Sequence, residues 1–174
     1  MIVRSRGTLS VAIGAAFALC MSLLAASPAA AAGTGSGTQA GRHCVLVLAP
    51  LEDGETLSQV LSETCGETKA MALQASDIDA SAAAVDLFMI AEHAGWGGQY
   101  YWVTGGAACD NAGYSFTPSS WWRTRISSSS YENNCDRMNI QNSSGNRANG
   151  IASHRDTMPL GFNDNVTFIN FYNG

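Results

Sequence analysis

Phe162 to Phe168 read FNDNVTF, and Asn163, Asp164, Asn165 and Thr167 put oxygen-bearing side chains at most positions of that stretch. Such oxygens are the hard donors that calcium takes, about six to eight at a time. The same residue types also hydrogen-bond a polar turn into a strand with no ion present. Proton-transfer chemistry has three starting points, His43, His93 and His154. Neither a G-x-S-x-G elbow nor an H-E-x-x-H helix accompanies them. In SHRD, Ser153 to Asp156, the serine, histidine and acid stand too close along the chain to form a catalytic set, and His93 beside Glu92 reads as a turn residue. Paired carboxylates for glycoside chemistry are defined by their separation in space, which sequence does not give. The chain reads as non-enzymatic.

Whatever these residues do, they do it outside the cell. Arg4 and Arg6, an apolar run from Val11 to about Ala26, and small residues ending at Ala32 have the layout of a cleavable export signal over residues 1–32. A lipid anchor at Cys20 is disfavoured, because Leu19 stands where a small residue is usual. The apolar run is short of the ~20 residues that span a bilayer, and no later stretch reaches that length. After cleavage the seven remaining arginines and lysine face fourteen acids, so the net charge moves from -5 to -7. Phosphate binding depends on clustered Lys and Arg, and Lys69 is the only lysine, so nucleic acid is not expected as a partner.

Four cysteines remain, Cys44, Cys65, Cys109 and Cys135. In an oxidising compartment they imply disulfides, with three pairings open. Local pairing, Cys44 with Cys65 and Cys109 with Cys135, is favoured because each pair brackets one compositionally uniform segment. Zinc is the weaker reading, since no C-x-x-C or C-x-x-H pair is present.

Composition then divides the chain. Residues 33–43 form a flexible leader of small and polar residues. Residues 44–86 carry no aromatic and eight acids, whereas ten aromatics fall between Phe88 and Tyr131, which places a boundary near 86. The acidic segment is expected as an appendage or pro-segment of mixed structure. CVLVLA reads as a short strand. Thr56 is expected to cap a helical turn with Leu57, Val60 and Leu61 on one face, ended by Gly66, and DASAAAVD is a further helical candidate. Residues 87–174 read as all-β: QYYWVT, DRMNIQ and NVTFINFY are aromatic and β-branched, with turn residues between them. The last run alternates Val166, Phe168, Asn170 and Tyr172 against Thr167, Ile169 and Phe171, which predicts a central strand.

AEHAGWGGQYYWV resembles the opening hairpin of a βγ-crystallin Greek key, whose pattern is an aromatic, four residues, a second aromatic, one residue, then glycine. Trp96 and Gly98 match the second aromatic and the glycine, while Ala91 occupies the first aromatic position. The glycine answers the positive φ such a folded hairpin requires. WWRTRISSS, Trp121 to Ser129, resembles the family's loop, in which two Asn or Asp residues and two spacers precede a Ser/Thr-Ser pair, and NDNVTF is a second copy. The resemblance is to secreted, actinomycete-type members, related in fold to small exported metalloproteinase inhibitors. It implies a sandwich of two Greek-key motifs over residues 87–174.

In calcium-binding members each ion lies between the two motif loops, so the resemblance implies Asn163, Asp164, Thr167 and Ser127 as metal ligands. Phe168 replaces the final serine of the second loop, and Arg123 and Thr124 stand where the first loop needs its Asn or Asp pair. Each arginine at about 8 Å from the ion, at an effective dielectric of about 40, costs roughly 2 kcal/mol, less if it swings into solvent. Extracellular calcium modules bind at about 10⁻⁴ to 10⁻³ M, which leaves little affinity to lose. No cofactor is required, and calcium is at most weakly bound. Two functions follow as expectations: a monomeric structural or binding protein acting at the cell envelope, or a peptidase inhibitor of an extracellular protease. For the second, the loop Asp110 to Ser120 with Tyr114, Phe116 and Pro118 is the candidate contact, although the favoured reading of the same side chains is that they fill a core.

Overall fold

A computed structural model describes residues 43–76 and 85–174. The expected signal segment, the leader up to residue 42 and residues 79–84 of the alanine-rich stretch lie outside the described residues. In chain order the strands are β1 (His43–Leu48), β2 (Val60–Gly66), β3 (Val85–His93), β4 (Gly97–Gly105), β5 (Tyr114–Phe116), β6 (Ser128–Tyr131), β7 (Arg137–Gln141), β8 (Arg147–Ala152) and β9 (Phe168–Tyr172). Two helices, α1 (Lys69–Ala75) and α2 (Ser120–Arg123), are short. Among the described residues no helix is long and apolar enough to cross a membrane. The fold is all-β, with one sheet ordered β2-β1-β4-β3-β6 and another ordered β5-β9-β7-β8.

β1 is apolar at successive positions because both of its faces are covered. Cys44, Leu46 and Leu48 join the main core, while Val45 and Val47 pack with Ala72 of α1 and against Trp102. Such two-sided burial is what a continuous aliphatic run encodes. β1 runs parallel to β4, Cys44 opposite Tyr101 through Leu48 opposite Gly105, and antiparallel to β2. Residues 43–66, set apart by their composition, therefore lie in the same sheet as β3 and β4. Cys44 faces Cys65 across the β1/β2 pair and is bonded to it, and Cys109 is bonded to Cys135, which is the local pairing.

The helical turn expected after Thr56 is corrected: Val60–Gly66 is a strand. A helix there would have needed a surface to bury its apolar face. Pairing with the free edge of β1 satisfies the backbone instead and leaves Leu57, Val60 and Leu61 exposed. The helix comes later, where Thr68 Oγ1 accepts the Met71 N–H at 3.2 Å and caps α1.

The expected strands QYYWVT, DRMNIQ and NVTFINFY correspond to β4, β7 and β9. β9 is central in its sheet, between β5 and β7, with Ile169 and Phe171 buried. Its other face carries Asn170, which accepts from Asn139 Nδ2 at 2.9 Å and donates to the Ala112 and Tyr114 carbonyls, so only one face is fully apolar. Between the sheets Phe88 stacks on Phe171 at 4.9 Å and Tyr101 meets Trp122 at 5.4 Å. Trp122, Tyr101 and Phe171 are fully buried, and removing one such ring leaves a cavity that costs about 3–5 kcal/mol.

Candidate functional site

The loop that follows α2 and the loop that precedes β9 lie side by side. α2 delivers the first, and its buried Trp122, with Ile126, Phe162 and Val166, forms the apolar floor beneath both loops. Backbone bonds join them directly: Asp164 N–H donates to the Ile126 carbonyl at 3.0 Å and Val166 N–H to the Arg123 carbonyl at 3.0 Å. Asp164 holds φ 54°, a left-handed conformation that Asp tolerates better than most side chains. Its carboxylate is spoken for at both oxygens. Ser127 Oγ donates to Oδ1 at 2.8 Å, and Asn163 Nδ2 donates to Oδ2 at 2.9 Å.

Ser127, Asn163 and Asp164 are thus brought together, whereas Thr167 is not. Its backbone N–H and its hydroxyl both donate to the Gln141 carbonyl, at 2.7 and 3.1 Å, which ties the loop to β7. The arginines of the first loop are not loose, as the sequence suggested. Arg123 Nε donates to the Pro118 carbonyl at 2.9 Å. Arg125 lies 3.4 Å from Glu92 Oε1 and 4.5 Å from the centre of the Trp121 ring. The corner offers one carboxylate, already paired, and neither arginine supplies an oxygen donor. Among the described residues no cluster of three or more His, Cys, Asp or Glu could hold a metal. This donor set does not fit a tightly held calcium ion, which needs several anionic oxygens.

A second hydrogen-bonded unit lies beside it, and sequence reasoning missed its key residue. The β3–β4 hairpin turns back with Gly95, Trp96 and Gly98 at φ of 68°, 57° and 80°. At Gly98 the positive φ favours glycine, and a Cβ there would sit 2.9 Å from His93 Cδ2. Fully buried Ser128 locks this turn: its hydroxyl donates to the His93 carbonyl at 2.6 Å and accepts the Trp96 N–H at 3.1 Å. Trp96 Nε1 donates to the Ser129 carbonyl at 3.0 Å. The signal was hidden in the run SSSS, where Ser127, Ser128 and Ser129 are all buried and identical residues give no hint of which one faces the turn.

The histidines do not assemble a catalytic set. His43 Nδ1 accepts the Tyr100 N–H at 3.3 Å, His93 is exposed at the hairpin, and His154 Nδ1 pairs with Ser130 Oγ at 3.2 Å beneath the Trp96 ring. None has a carboxylate partner among the described residues. The loop Asp110 to Ser120 turns its candidate contacts inward. Tyr114 and Phe116 are each 2% exposed and belong to the core, and Pro118 is buried. Tyr114 OH donates to the Ala107 carbonyl at 2.9 Å, and Asp110 Oδ1 accepts from the Ala112 and Gly113 N–H groups. Comparison with known proteins returns no matching family model, no matching curated protein and no matching solved structure.

Proposed function

We propose that the chain is an exported, non-enzymatic βγ-crystallin-like protein of two Greek keys that acts by binding at the cell envelope, with at most a weak, degenerate calcium site. Exchange of one segment between two similar halves supports the fold assignment. β4, β3 and β6 lie in one sheet, and the edge of β6 is bridged at Ser129 to Arg155, which follows β8. β8, β7 and β9 lie in the other, and the edge of β9 is taken by β5 from the first half. Each half thus supplies three strands to its own sheet and one segment to its neighbour's, and the motif loops meet at the same end.

The observation that carries the functional reading is the self-satisfied corner. Ser127 and Asp164 bond each other across the loops, so the corner closes without needing an ion or a substrate. Two disulfides fit an oxidising compartment, in keeping with export. The inhibitor alternative loses its candidate loop, because Tyr114 and Phe116 fill the core. Cosedimentation with purified cell envelopes, run beside a thermolysin-like zinc protease assay, tests the reading. Saturable pelleting without inhibition is expected. A protein that stays in the supernatant and inhibits the protease at micromolar concentration would instead establish the inhibitor.

A further inference from the structure

The outer face of the first sheet is covered over β1 by α1 and open over β4, β3 and β6. There a cleft of about 100 Å³ is lined by Asp86, Met89, Trp102, Ser130, Tyr131 and Glu132. The register explains the grouping: Met89 stands opposite Trp102 on one side and Ser130 on the other. An aromatic face, a thioether and two carboxylates favour a cation, since the ring quadrupole and the carboxylates both attract positive charge.

One wall of this cleft already holds such a group. Lys69 Nζ bonds Asp86 Oδ2 at 2.5 Å and lies 5.3 Å from the Trp102 ring centre. Glu132, exposed in the same cleft, has no ion pair or side-chain hydrogen bond among the described residues. We propose that this cleft binds the ammonium group of a lysine side chain presented by a partner protein, between Trp102 and Glu132. The site is independent of the corner loops and does not rest on the crystallin reading.

Size and chemistry narrow the ligand to that group. Pockets for drug-sized molecules are about 300–1,000 Å³, so this one takes a single side chain. The charged groups that line it, Asp86 and Glu132, are both carboxylates, which suits an ammonium with three donors. A quaternary ammonium would leave the carboxylates without N–H partners. A guanidinium is a rigid planar fork, whereas the cleft matches a compact point charge.

The test is an NMR titration of the purified protein with Nα-acetyl-lysine methylamide, alongside its Nε-acetylated, uncharged analogue. Saturable shifts of the Trp102 indole N–H and the Ser130 and Glu132 amides are expected at millimolar ligand, with none from the uncharged analogue. Glu132→Gln, at an exposed position, and Trp102→Phe, which keeps an aromatic ring against Val45 and Val47, are each expected to weaken binding about fivefold. Lys69→Met releases Asp86 and the Trp102 face from the internal ammonium, and tightens binding severalfold. Equal shifts from both analogues, unchanged affinity in Glu132→Gln, or shifts produced instead by an N-acetylglucosamine oligomer would overturn the proposal.

Discussion

Ser128→Ala removes one oxygen from a fully buried position and breaks two bonds at once, the donation to the His93 carbonyl at 2.6 Å and the acceptance from Trp96 N–H at 3.1 Å. A typical internal hydrogen bond contributes about 1 kcal/mol net, and a buried group left without a partner loses about 1–3 kcal/mol. The turn can answer by opening toward water, since Trp96 is half-exposed and its φ of 57° is relieved when the lock is gone. The expected loss is about 2 kcal/mol. Urea denaturation of wild type, Ser128→Ala and Ser130→Ala measures it as a lowered midpoint at unchanged slope. Ser130, whose hydroxyl meets only the exposed His154 ring at 3.2 Å, is the control and should lose less than about 0.5 kcal/mol. If the two variants are equally stable, Ser128 does not hold the hairpin and the account of that corner is wrong.

Replacing Cys109 and Cys135 with alanine opens a loop of 26 residues and should lower stability by about 3.5 kcal/mol in the chain-entropy model, measured by the same denaturation. Gly113→Ala should abolish folding as judged by near-ultraviolet circular dichroism, because a Cβ there would lie 2.0 Å from the Phe171 carbonyl oxygen at φ 69°. Gly145→Ala, at φ 82° with its nearest neighbour at 4.0 Å, should lose only about 1 kcal/mol and keep the spectrum. Burial, and then the Glu63 carboxylate that accepts its proton at 2.9 Å, push the Tyr101 phenol far above its ordinary value. The unfolded phenol ionises near pH 10 and the folded one does not. The native state then binds the extra proton, and stability falls by about 1.4 kcal/mol per pH unit above about pH 10. Tyr101→Phe should remove that part of the alkaline slope.

Legibility followed the covering of faces. β1, β4 and β9 were readable because β-branched and aromatic residues line them, and β7 because apolar Met138 and Ile140 alternate with polar residues. β8 was not: RANGIA is small and polar, and its place is fixed by pairing with β7. β2 was misread because Leu57, Val60 and Leu61 have helical spacing, yet what decided the segment was the free edge of β1 and the bond from Cys44 to Cys65. Parallel pairing of β1 with β4 joins residues far apart in the chain, and no local pattern encodes it. At the corner, residue types pointed to the two loops, which backbone bonds join. They could not reveal that the Pro118 carbonyl and Glu92 hold the arginines, or that Thr167 turns to Gln141. The inward turn of Tyr114 and Phe116 was one of two open readings, and packing chose it.

The most direct test of the corner is thermal unfolding of the purified protein across a calcium titration. An ion held only by the native state raises the melting temperature once its concentration passes the dissociation constant. With Asp164 bonded to Ser127 and Asn163, the melting temperature should not move below about 1 mM calcium. A saturable rise at micromolar calcium would contradict the account.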